Sequence, residues 1–247
     1  MHKQRIKLEF LVHDLKVPLA VIEAGISSLI QKRDKYGALT DKQLQVLERA
    51  LRNTVITQRL VNDVLELGRS SEGVMNRCRF RISAFVEQAL VEIFDLTDHE
   101  TTDRIRECDS LGALQKTIAT KGVHLDISET LWAKEMYLDE SKCRQILRNL
   151  LTNALKYRKE RVDLRLYEEA RFLCISVKDD GEGIPSNFHE KIFECYFQMD
   201  ARTNQCVRGH GLGLAGVLLL LEDMGGSLAL ISDAGKGATF LVRMPVL

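Results

Sequence analysis

One stretch of the sequence decides the fold, and it reads Phe172-Leu173-Cys174-Ile175-Ser176-Val177-Lys178-Asp179-Asp180-Gly181-Glu182-Gly183-Ile184-Pro185. Its first half is mostly apolar and predicts a buried strand. Its second half places two glycines after a pair of aspartates, and glycine lets backbone amides approach phosphate oxygens. A second glycine run, at residues 209–214, opens a predicted helix, whose N-terminus favours anions. Either run alone is weak evidence, and the GxGxG spacing without a preceding strand excludes a Rossmann dinucleotide site.

Helices and strands are interleaved around these two runs. Helices are predicted at residues 83–94, 140–157 and 212–224, and strands at residues 123–127, 162–167, 172–178, 227–232 and 238–244. The last two strands are close enough to form a hairpin around residues 234–237. A mixed sheet is therefore predicted, rather than a doubly wound parallel sheet, and the fold class is α+β.

The N-terminal part of the chain has a different period. Between Leu8 and Tyr36, mostly apolar residues recur in steps of four and three, which is a heptad seam typical of one long helix. After Gly37, Thr40 and Gln43 form a capping box, and a second seam runs from Leu44 to Gly68. Two long helices joined by a short turn predict an antiparallel hairpin.

A single hairpin exposes a second apolar stripe and cannot enclose a core. Pairing two hairpins into a four-helix bundle would bury these stripes, so the sequence predicts a homodimer. Residues 73–79 break the heptad pattern and are interpreted as a linker. The predicted domains are thus a hairpin of residues 1–72 and a second domain of residues 80–247.

Composition excludes several classes of function. The 247 residues include 35 Lys and Arg against 35 Asp and Glu, so the formal net charge is zero. This balance gives no electrostatic footprint for a nucleic-acid partner or an anionic membrane surface. The longest apolar run has about ten residues, short of the roughly 20 of a membrane helix. This short run predicts that the chain does not insert into a membrane. The six cysteines form no CxxC pair, which indicates reduced thiols and a cytoplasmic location.

Two groups of polar residues could carry chemistry. His13 and Asp14 lie in the first predicted helix, one turn before Pro18, which bends a helix because it removes a backbone hydrogen bond. Asn149 and Asn153 share one face of a later helix, and an amide oxygen is a ligand that Mg²⁺ accepts. Taken singly, a solvated histidine and an amide that bridges two helices are the more ordinary interpretations.

In their order and spacing, these segments resemble the sensor histidine kinases of two-component signalling, over almost the whole chain. The resemblance rests on five boxes, namely the phospho-acceptor box (residues 13–19), the N box (residues 149–157), the first glycine box (residues 177–184), the F box (residues 192–197) and the second glycine box (residues 209–214). Five boxes in sequence order make chance agreement very improbable.

The resemblance implies a dimeric helical hairpin joined to an α/β sandwich of the Bergerat type, an ATP-binding fold shared with gyrase, Hsp90 and MutL. It implies transfer of the γ-phosphoryl group of ATP to a ring nitrogen of His13. Asp14 would polarise the other nitrogen or take its proton. The phosphoryl group would then pass to an aspartate in the receiver domain of a response regulator. The signal would come from a sensory domain or partner absent from this chain, which would be a soluble kinase or the cytosolic part of a longer sensor.

The same resemblance implies a site for ATP and Mg²⁺. Asp179 would accept a hydrogen bond from the adenine amino group, Asn153 would bind Mg²⁺, and Asn149 would support the phosphate side. Arg202 and Arg208 would be cations of a lid at about residues 198–208, and positive charge there would assist phosphoryl transfer. The other residues implied to contact the nucleotide are Lys156, Tyr157, Gly181, Gly183, Gly209, Gly211, Leu212 and Gly213.

Three positions depart from the family pattern. Val17 replaces the usual Thr or Asn that orients water during dephosphorylation of the partner, so weak phosphatase activity is predicted. Arg158 replaces a usual Ser or Thr, and Gln198 replaces a frequent Arg. These departures leave open a degenerate nucleotide-binding scaffold, and the glycine boxes leave open an ATPase of the gyrase or MutL type. Residues 95–110 form a polar stretch longer than the usual link, and no role is assigned to them.

Overall fold

The computed structural model describes residues 2–70, 75–95, 98–194 and 213–246, with side chains left out for residues 2–13, 56, 59, 60 and 62–70. The chain divides into two compact units, Met1–Glu72 and Gly73–Leu247. No helix within the described ranges is both long enough and apolar enough to cross a membrane.

The first unit is a helical hairpin. Its helices are α1 (His2–Gln31), α2 (Arg33–Tyr36) and α3 (Asp41–Ser70). Leu19 of α1 packs against the buried Val61 of α3, and the amide of Gln58 donates a hydrogen bond of 2.8 Å to the carboxylate of Glu23. Because the contact nearer the start of α1 involves the residue nearer the end of α3, the two long helices are antiparallel, as predicted.

The turn of the hairpin confirms the predicted capping box. The backbone N–H of Gln43 donates to Oγ1 of Thr40 at 3.3 Å, and the backbone N–H of Thr40 donates to Oε1 of Gln43 at 2.9 Å. These reciprocal bonds satisfy donors that the first turn of a helix leaves without intrahelical partners. The sequence signal therefore located the start of α3 correctly.

The prediction of one helix from Leu8 to Tyr36 is wrong at Lys32. The backbone of Lys32 leaves the helical region, with φ −98° and ψ 58°, and separates α1 from the short α2. The N–H groups of Lys32 and Tyr36 still donate to carbonyl oxygens four residues earlier. The i→i−4 hydrogen bonds therefore continue on both sides of Lys32. Because the heptad pattern also continues past Lys32, the sequence does not reveal the break.

The second unit combines short helices with two sheets. Its elements are β1 (Cys78–Arg81), α4 (Ile82–Phe94), α5 (His99–Arg106), α6 (Leu111–Ala119), β2 (Val123–Asp126), α7 (Glu129–Trp132), β3 (Glu135–Leu138), α8 (Glu140–Tyr157), β4 (Val162–Glu169), β5 (Phe172–Asp179), α9 (Gly213–Met224), β6 (Ser227–Ser232) and β7 (Ala238–Pro245). Strand β1 begins inside the stretch interpreted as a linker.

The main sheet has the strand order β2-β4-β5-β7-β6. Strands β2 and β4 are parallel, and the other neighbouring pairs are antiparallel, which confirms the predicted mixed sheet. Helix α8 packs against α4, α9 and β5, and its apolar face, including Ile146, Leu147 and Leu150, is fully buried. The core of this unit therefore lies between the sheet and helices α4, α8 and α9.

The polar stretch of residues 95–110 contains a helix that the sequence analysis did not predict. Helix α5 is capped by Asp98, whose carboxylate accepts a hydrogen bond of 3.1 Å from the backbone N–H of Thr101. Its buried residues are Thr101, Thr102 and Ile105. Two of these three side chains are hydroxylic, so the hydrophobic period that normally announces a helix is nearly absent.

Candidate functional site

Asp179 ends strand β5 and is buried, with 6% of its surface exposed. Its Oδ1 accepts backbone hydrogen bonds from Gly181 at 2.9 Å and from Ala238 at 3.3 Å. Burial raises the pKa of this carboxyl above its ordinary value, although the two backbone donors act in the opposite direction. Because both donors use Oδ1, Oδ2 is the oxygen through which Asp179 could accept a hydrogen bond from a ligand.

The two glycines of the first glycine box are required by close backbone packing. A Cβ atom at Gly181 would collide with the carbonyl oxygen of Tyr157, the last residue of α8. Gly183 has a φ of +71°, which L side chains rarely adopt, and a Cβ atom there would collide with the carbonyl of Asp233. These glycines let the loop after β5 lie directly against α8 and against the turn between β6 and β7.

That turn is also fixed by a serine that the sequence analysis did not single out. The hydroxyl of Ser232 accepts a hydrogen bond of 2.8 Å from the N–H of Ile184 and donates one of 2.7 Å to the carbonyl of Gly237. Gly235 donates its N–H to the carbonyl of Glu182. Two hydrogen bonds therefore hold the loop that follows Asp179 against the β6–β7 turn, and the bond from Ser232 to Gly237 closes the turn itself. Ser232 ends a predicted strand, but its partner Ile184 is 48 residues away in sequence.

The N box occupies the C-terminal half of α8. Asn149 and Asn153 are half-buried and lie one turn apart on the same face. The amide nitrogen of Asn149 donates a hydrogen bond of 3.3 Å to the carbonyl of Gly213, the first residue of α9. The more ordinary interpretation, an amide that bridges two helices, thus describes Asn149. Asn153 makes no side-chain hydrogen bond to another residue of the described ranges.

Lys156 and Tyr157 pair with each other at the end of α8. The ammonium of Lys156 donates a hydrogen bond of 2.9 Å to the hydroxyl of Tyr157 and lies 4.5 Å from the centroid of its ring. Tyr157 is 58% exposed, so the pair is open to a ligand. A bound phosphate would compete with the phenol for the ammonium group.

Several predicted site residues lie outside the described part of the chain, namely Arg202, Arg208, Gly209, Gly211 and Leu212, together with Gln198 and residues 195–197 of the F box. The backbone of His13 lies in α1, and its side chain is outside the described set. Asp14 follows it in α1 with an exposed side chain. The structure thus brings together Asp179, Gly181, Gly183 and Tyr157 through the contacts above, and Asn149 with Gly213.

Comparison with known proteins identifies both units. The family of the His Kinase A (phospho-acceptor) domain matches residues 8–73, and the family of the Histidine kinase-, DNA gyrase B-, and HSP90-like ATPase matches residues 138–247. The second unit therefore has the ATP-binding fold of this ATPase class. Both matches, and relatives that align along nearly the whole chain, show that the chain belongs to the histidine kinases of two-component signalling.

Two curated relatives and one solved structure illustrate this similarity. The chain is 27% identical over 241 residues to the sensor histidine kinase WalK of Bacillus subtilis, covering 94% of this chain and 35% of WalK. It is 29% identical over 244 residues to the circadian input-output histidine kinase CikA of Synechococcus elongatus, covering 97% of this chain and 30% of CikA. The chain thus spans about a third of the length of these relatives.

The fold is shared with full-length ShkA, whose crystal structure is a complex with AMPPNP. The TM-score is 0.67 at 24% sequence identity, and the match covers 97% of this chain and 45% of ShkA. The predicted α+β fold class and the predicted family are both confirmed.

Proposed function

We propose that this chain is the catalytic core of a sensor histidine kinase that phosphorylates His13 from ATP and passes the phosphoryl group to an aspartate of a response regulator. The observation that carries this proposal is the presence, in one chain, of a phospho-acceptor hairpin whose first helix contains His13 and an ATPase-type unit with a buried aspartate at the end of β5. A gyrase- or MutL-type ATPase is not favoured, because such an enzyme has no need of the hairpin.

Asp179 is proposed to recognise the adenine ring. The adenine amino group is a hydrogen-bond donor, and a carboxylate oxygen accepts from it. Guanine presents a carbonyl oxygen at the corresponding position, which a carboxylate would repel. The two backbone bonds to Oδ1 hold the carboxylate in a fixed orientation before the nucleotide arrives. This preorganisation supports a selective adenine contact through Oδ2.

Asn153 is proposed to hold Mg²⁺. A neutral amide oxygen fits this hard cation, which usually completes its shell with phosphate oxygens and water. No group of three or more His, Cys, Asp or Glu side chains suited to a metal ion occurs within the described ranges, and a cation held mainly by nucleotide phosphates requires none. When bound, Mg²⁺ would neutralise charge on the transferring phosphoryl group. Lys156, and in the lid Arg202 and Arg208, would add to this neutralisation.

His13 is proposed as the nucleophile. A neutral imidazole nitrogen can attack phosphorus at pH 7 while the other nitrogen keeps its proton. Asp14, the adjacent residue, would accept a hydrogen bond from that N–H, or take its proton, as positive charge develops on the ring. The phosphoryl group breaks its bond to the ADP oxygen and forms one to the imidazole nitrogen.

The hairpin is proposed to dimerise. Several apolar side chains of the two long helices are substantially exposed, namely Leu15 (48%), Val17 (54%), Val21 (66%), Ile22 (47%), Leu29 (36%) and Val46 (67%). A row of exposed apolar residues on a helical hairpin supports association with a second copy into a four-helix bundle. We place the dimer in the cytoplasm, where a sensory domain or a partner protein would control it. Within the described ranges Cys78, Cys108, Cys143 and Cys174 are free thiols, which is compatible with a reducing compartment.

The decisive experiment is incubation with γ-labelled ATP and Mg²⁺, followed by acid and base treatment of the protein. Label that acid removes and base leaves in place would identify phosphohistidine. ATP binding without label on the protein would indicate the degenerate scaffold instead. Release of labelled phosphate without a labelled protein would indicate a simple ATPase. A second incubation with a purified receiver domain would then test transfer to its aspartate.

A further inference from the structure

Residues 158–161, which join α8 to β4, are held by hydrogen bonds on two sides. On one side, the guanidinium of Arg158 donates a hydrogen bond of 2.7 Å to the carbonyl of Lys121 in the α6–β2 turn. On the other side, Oδ1 of Asp180 accepts backbone hydrogen bonds from Lys159 at 2.8 Å and from Glu160 at 3.1 Å. We call the contacts of Arg158 and Asp180 the junction clamp.

The junction clamp connects the two parts of the proposed nucleotide site, which are the N box in α8 and the loop that follows Asp179. Asp180 lies between Asp179 and Gly181, and Gly181 packs against the carbonyl of Tyr157 at the end of α8. Burial opposes ionisation of Asp180, but the backbone donors outweigh it and lower the pKa of this carboxyl. A charged acceptor forms the stronger type of hydrogen bond. The end of the N box is therefore held at a fixed distance from the adenine-binding carboxylate.

The α6–β2 turn, which carries the carbonyl of Lys121, is itself held in place. The ammonium of Lys121 lies 2.7 Å from Oδ2 of Asp98, the residue that caps α5. The neighbouring Gly122 has a φ of +71°, and its carbonyl accepts from the N–H of Val162 at the start of β4. The polar stretch of residues 95–110 thus supports the turn to which Arg158 is attached.

We propose that Arg158 and Asp180 are positioning residues, which hold the Mg²⁺- and phosphate-binding residues of α8 in register with the adenine-binding Asp179. This inference rests on the proposed function of the second unit as a kinase. It also explains Arg158, whose departure from the usual Ser or Thr is one of three that left a degenerate scaffold open. The guanidinium reaches a carbonyl 37 residues away in sequence, which a Ser or Thr side chain is too short to do.

The clamp makes a specific prediction about two ligands. Among these residues, only Asp179 would contact adenosine. ATP would also contact Asn153 and Lys156, through its phosphates and Mg²⁺. Loosening the junction should therefore weaken ATP binding and leave adenosine binding nearly unchanged. A side chain that only stabilises the fold would change both affinities in the same proportion.

The test is a titration of the full 247-residue chain with Mg-ATP and, separately, with adenosine. Arg158→Met keeps the aliphatic stem and removes the guanidinium, and Asp180→Ala removes the opposite side of the clamp. Each should raise the Kd of ATP about tenfold, the size expected when a hydrogen bond to a charged group is lost, and change that of adenosine less than about twofold. Arg158→Lys can still donate one hydrogen bond and should recover most of the ATP affinity.

Arg165→Met is the matched control, because Arg165 pairs with Asp126 on the outer part of the sheet. It should bind both ligands as the unaltered chain does. Unchanged ATP affinity in both clamp variants, or equal loss of ATP and adenosine, would overturn the positioning role. Titrations are made below the melting temperature of each variant, measured by circular dichroism, so unfolding is not mistaken for weak binding. If the unaltered chain did not bind ATP, the proposed function would be wrong and the inference would be wrong with it.

Discussion

The amide of Asn149 donates a hydrogen bond of 3.3 Å to the carbonyl of Gly213 and joins the middle of α8 to the first residue of α9. At the other ends of these helices, the ammonium of Lys142 lies 2.8 Å from a carboxylate oxygen of Asp223. Two contacts thus fix the antiparallel helices along their length. The start of α9, where the second glycine box ends, is therefore positioned directly by the N box.

Gly213→Ala should separate a packing role from a ligand role for this glycine. Among the described residues, the nearest atom to an added Cβ would be Cγ of Asn149 at 3.8 Å, an ordinary van der Waals contact, and alanine is favoured over glycine in helices. We expect no loss of thermal stability but weaker ATP binding, because the methyl group would stand where phosphates approach the helix start. Gly25→Ala in α1, where no described atom lies within 4 Å of an added Cβ, is the control and should bind ATP normally. Unchanged ATP affinity in Gly213→Ala would remove this residue from the site.

Asp179→Asn should reduce ATP affinity without disrupting the fold. The asparagine Oδ1 can still accept from Gly181 and Ala238, whereas its NH₂ group replaces the oxygen proposed to accept from adenine. The expected loss is roughly 1 to 3 kcal/mol in binding free energy, typical of a buried partner left unsatisfied. Nucleotide titration should also show less preference for ATP over GTP. Asp126→Asn, an exposed change on β2, should leave both values unaltered, and a normal ATP preference in Asp179→Asn would contradict the adenine role.

His13→Gln should abolish autophosphorylation and leave ATP affinity unchanged, because the nucleotide contacts proposed here all lie in the second unit. The measurement is incorporation of acid-labile label from γ-labelled ATP, beside a nucleotide titration of the same preparation. His99→Gln changes a histidine on α5 whose side chain is 83% exposed and should be phosphorylated normally. Acid-labile label on the His13 variant would show that another residue is the acceptor.

Val17→Thr or Val17→Asn should increase phosphatase activity toward a phosphorylated response regulator. Val17 lies one helical turn beyond His13, and its methyl groups cannot orient an attacking water. The assay follows decay of a purified phospho-regulator with ADP and Mg²⁺, in a His13→Gln background that prevents reverse transfer. Val21→Thr, one turn further along α1 and 66% exposed in the parent, is the matched control. Rapid dephosphorylation by the chain with Val17 intact would mean that a different residue positions the water.

Asp98→Asn should destabilise the second unit in a pH-dependent manner. The hydrogen bond from Lys121 and those from Thr101 lower the pKa of Asp98 from 3.8 to about 2. Because the folded state favours the ionised form, the stabilisation is present above the unfolded value and is lost as the pH falls through the folded value. Asparagine can still cap α5 through its Oδ1, whereas its NH₂ group replaces the charged Oδ2 that accepts from the Thr101 hydroxyl and the Lys121 ammonium. The difference in free energy of unfolding should be clear at pH 7 and should shrink between pH 4 and pH 2, as measured by denaturant titration. Asp103→Asn in the same helix should show no such difference, and a difference independent of pH would contradict the role of the charge.

The elements that the sequence predicted best are those with a strong local period. Helix α8 has the predicted bounds, and β6 matches the predicted strand. The strands β1 and β3 were not predicted, since each has only four residues and each depends on the other for its ladder of hydrogen bonds. Their pairing joins Cys78 to Leu138, far apart in sequence, so no local pattern announces it.

The sequence by itself determined the family, the mixed sheet, the capped hairpin and the position of Asp179 at the end of a buried strand, because each depends on residue types at short, fixed spacings. Only the tertiary structure decided why Gly181 and Gly183 must be glycine, what Ser232 holds, and what Arg158 and Asp180 do. Each of these roles is a contact between side chains or backbone groups of segments that folding brings together. The bond from Arg158 to Lys121 spans 37 residues and that from Lys159 to Asp180 spans 21. A helical or strand period reports which face of an element is buried, and it carries no information about which distant carbonyl or amide lies opposite that face.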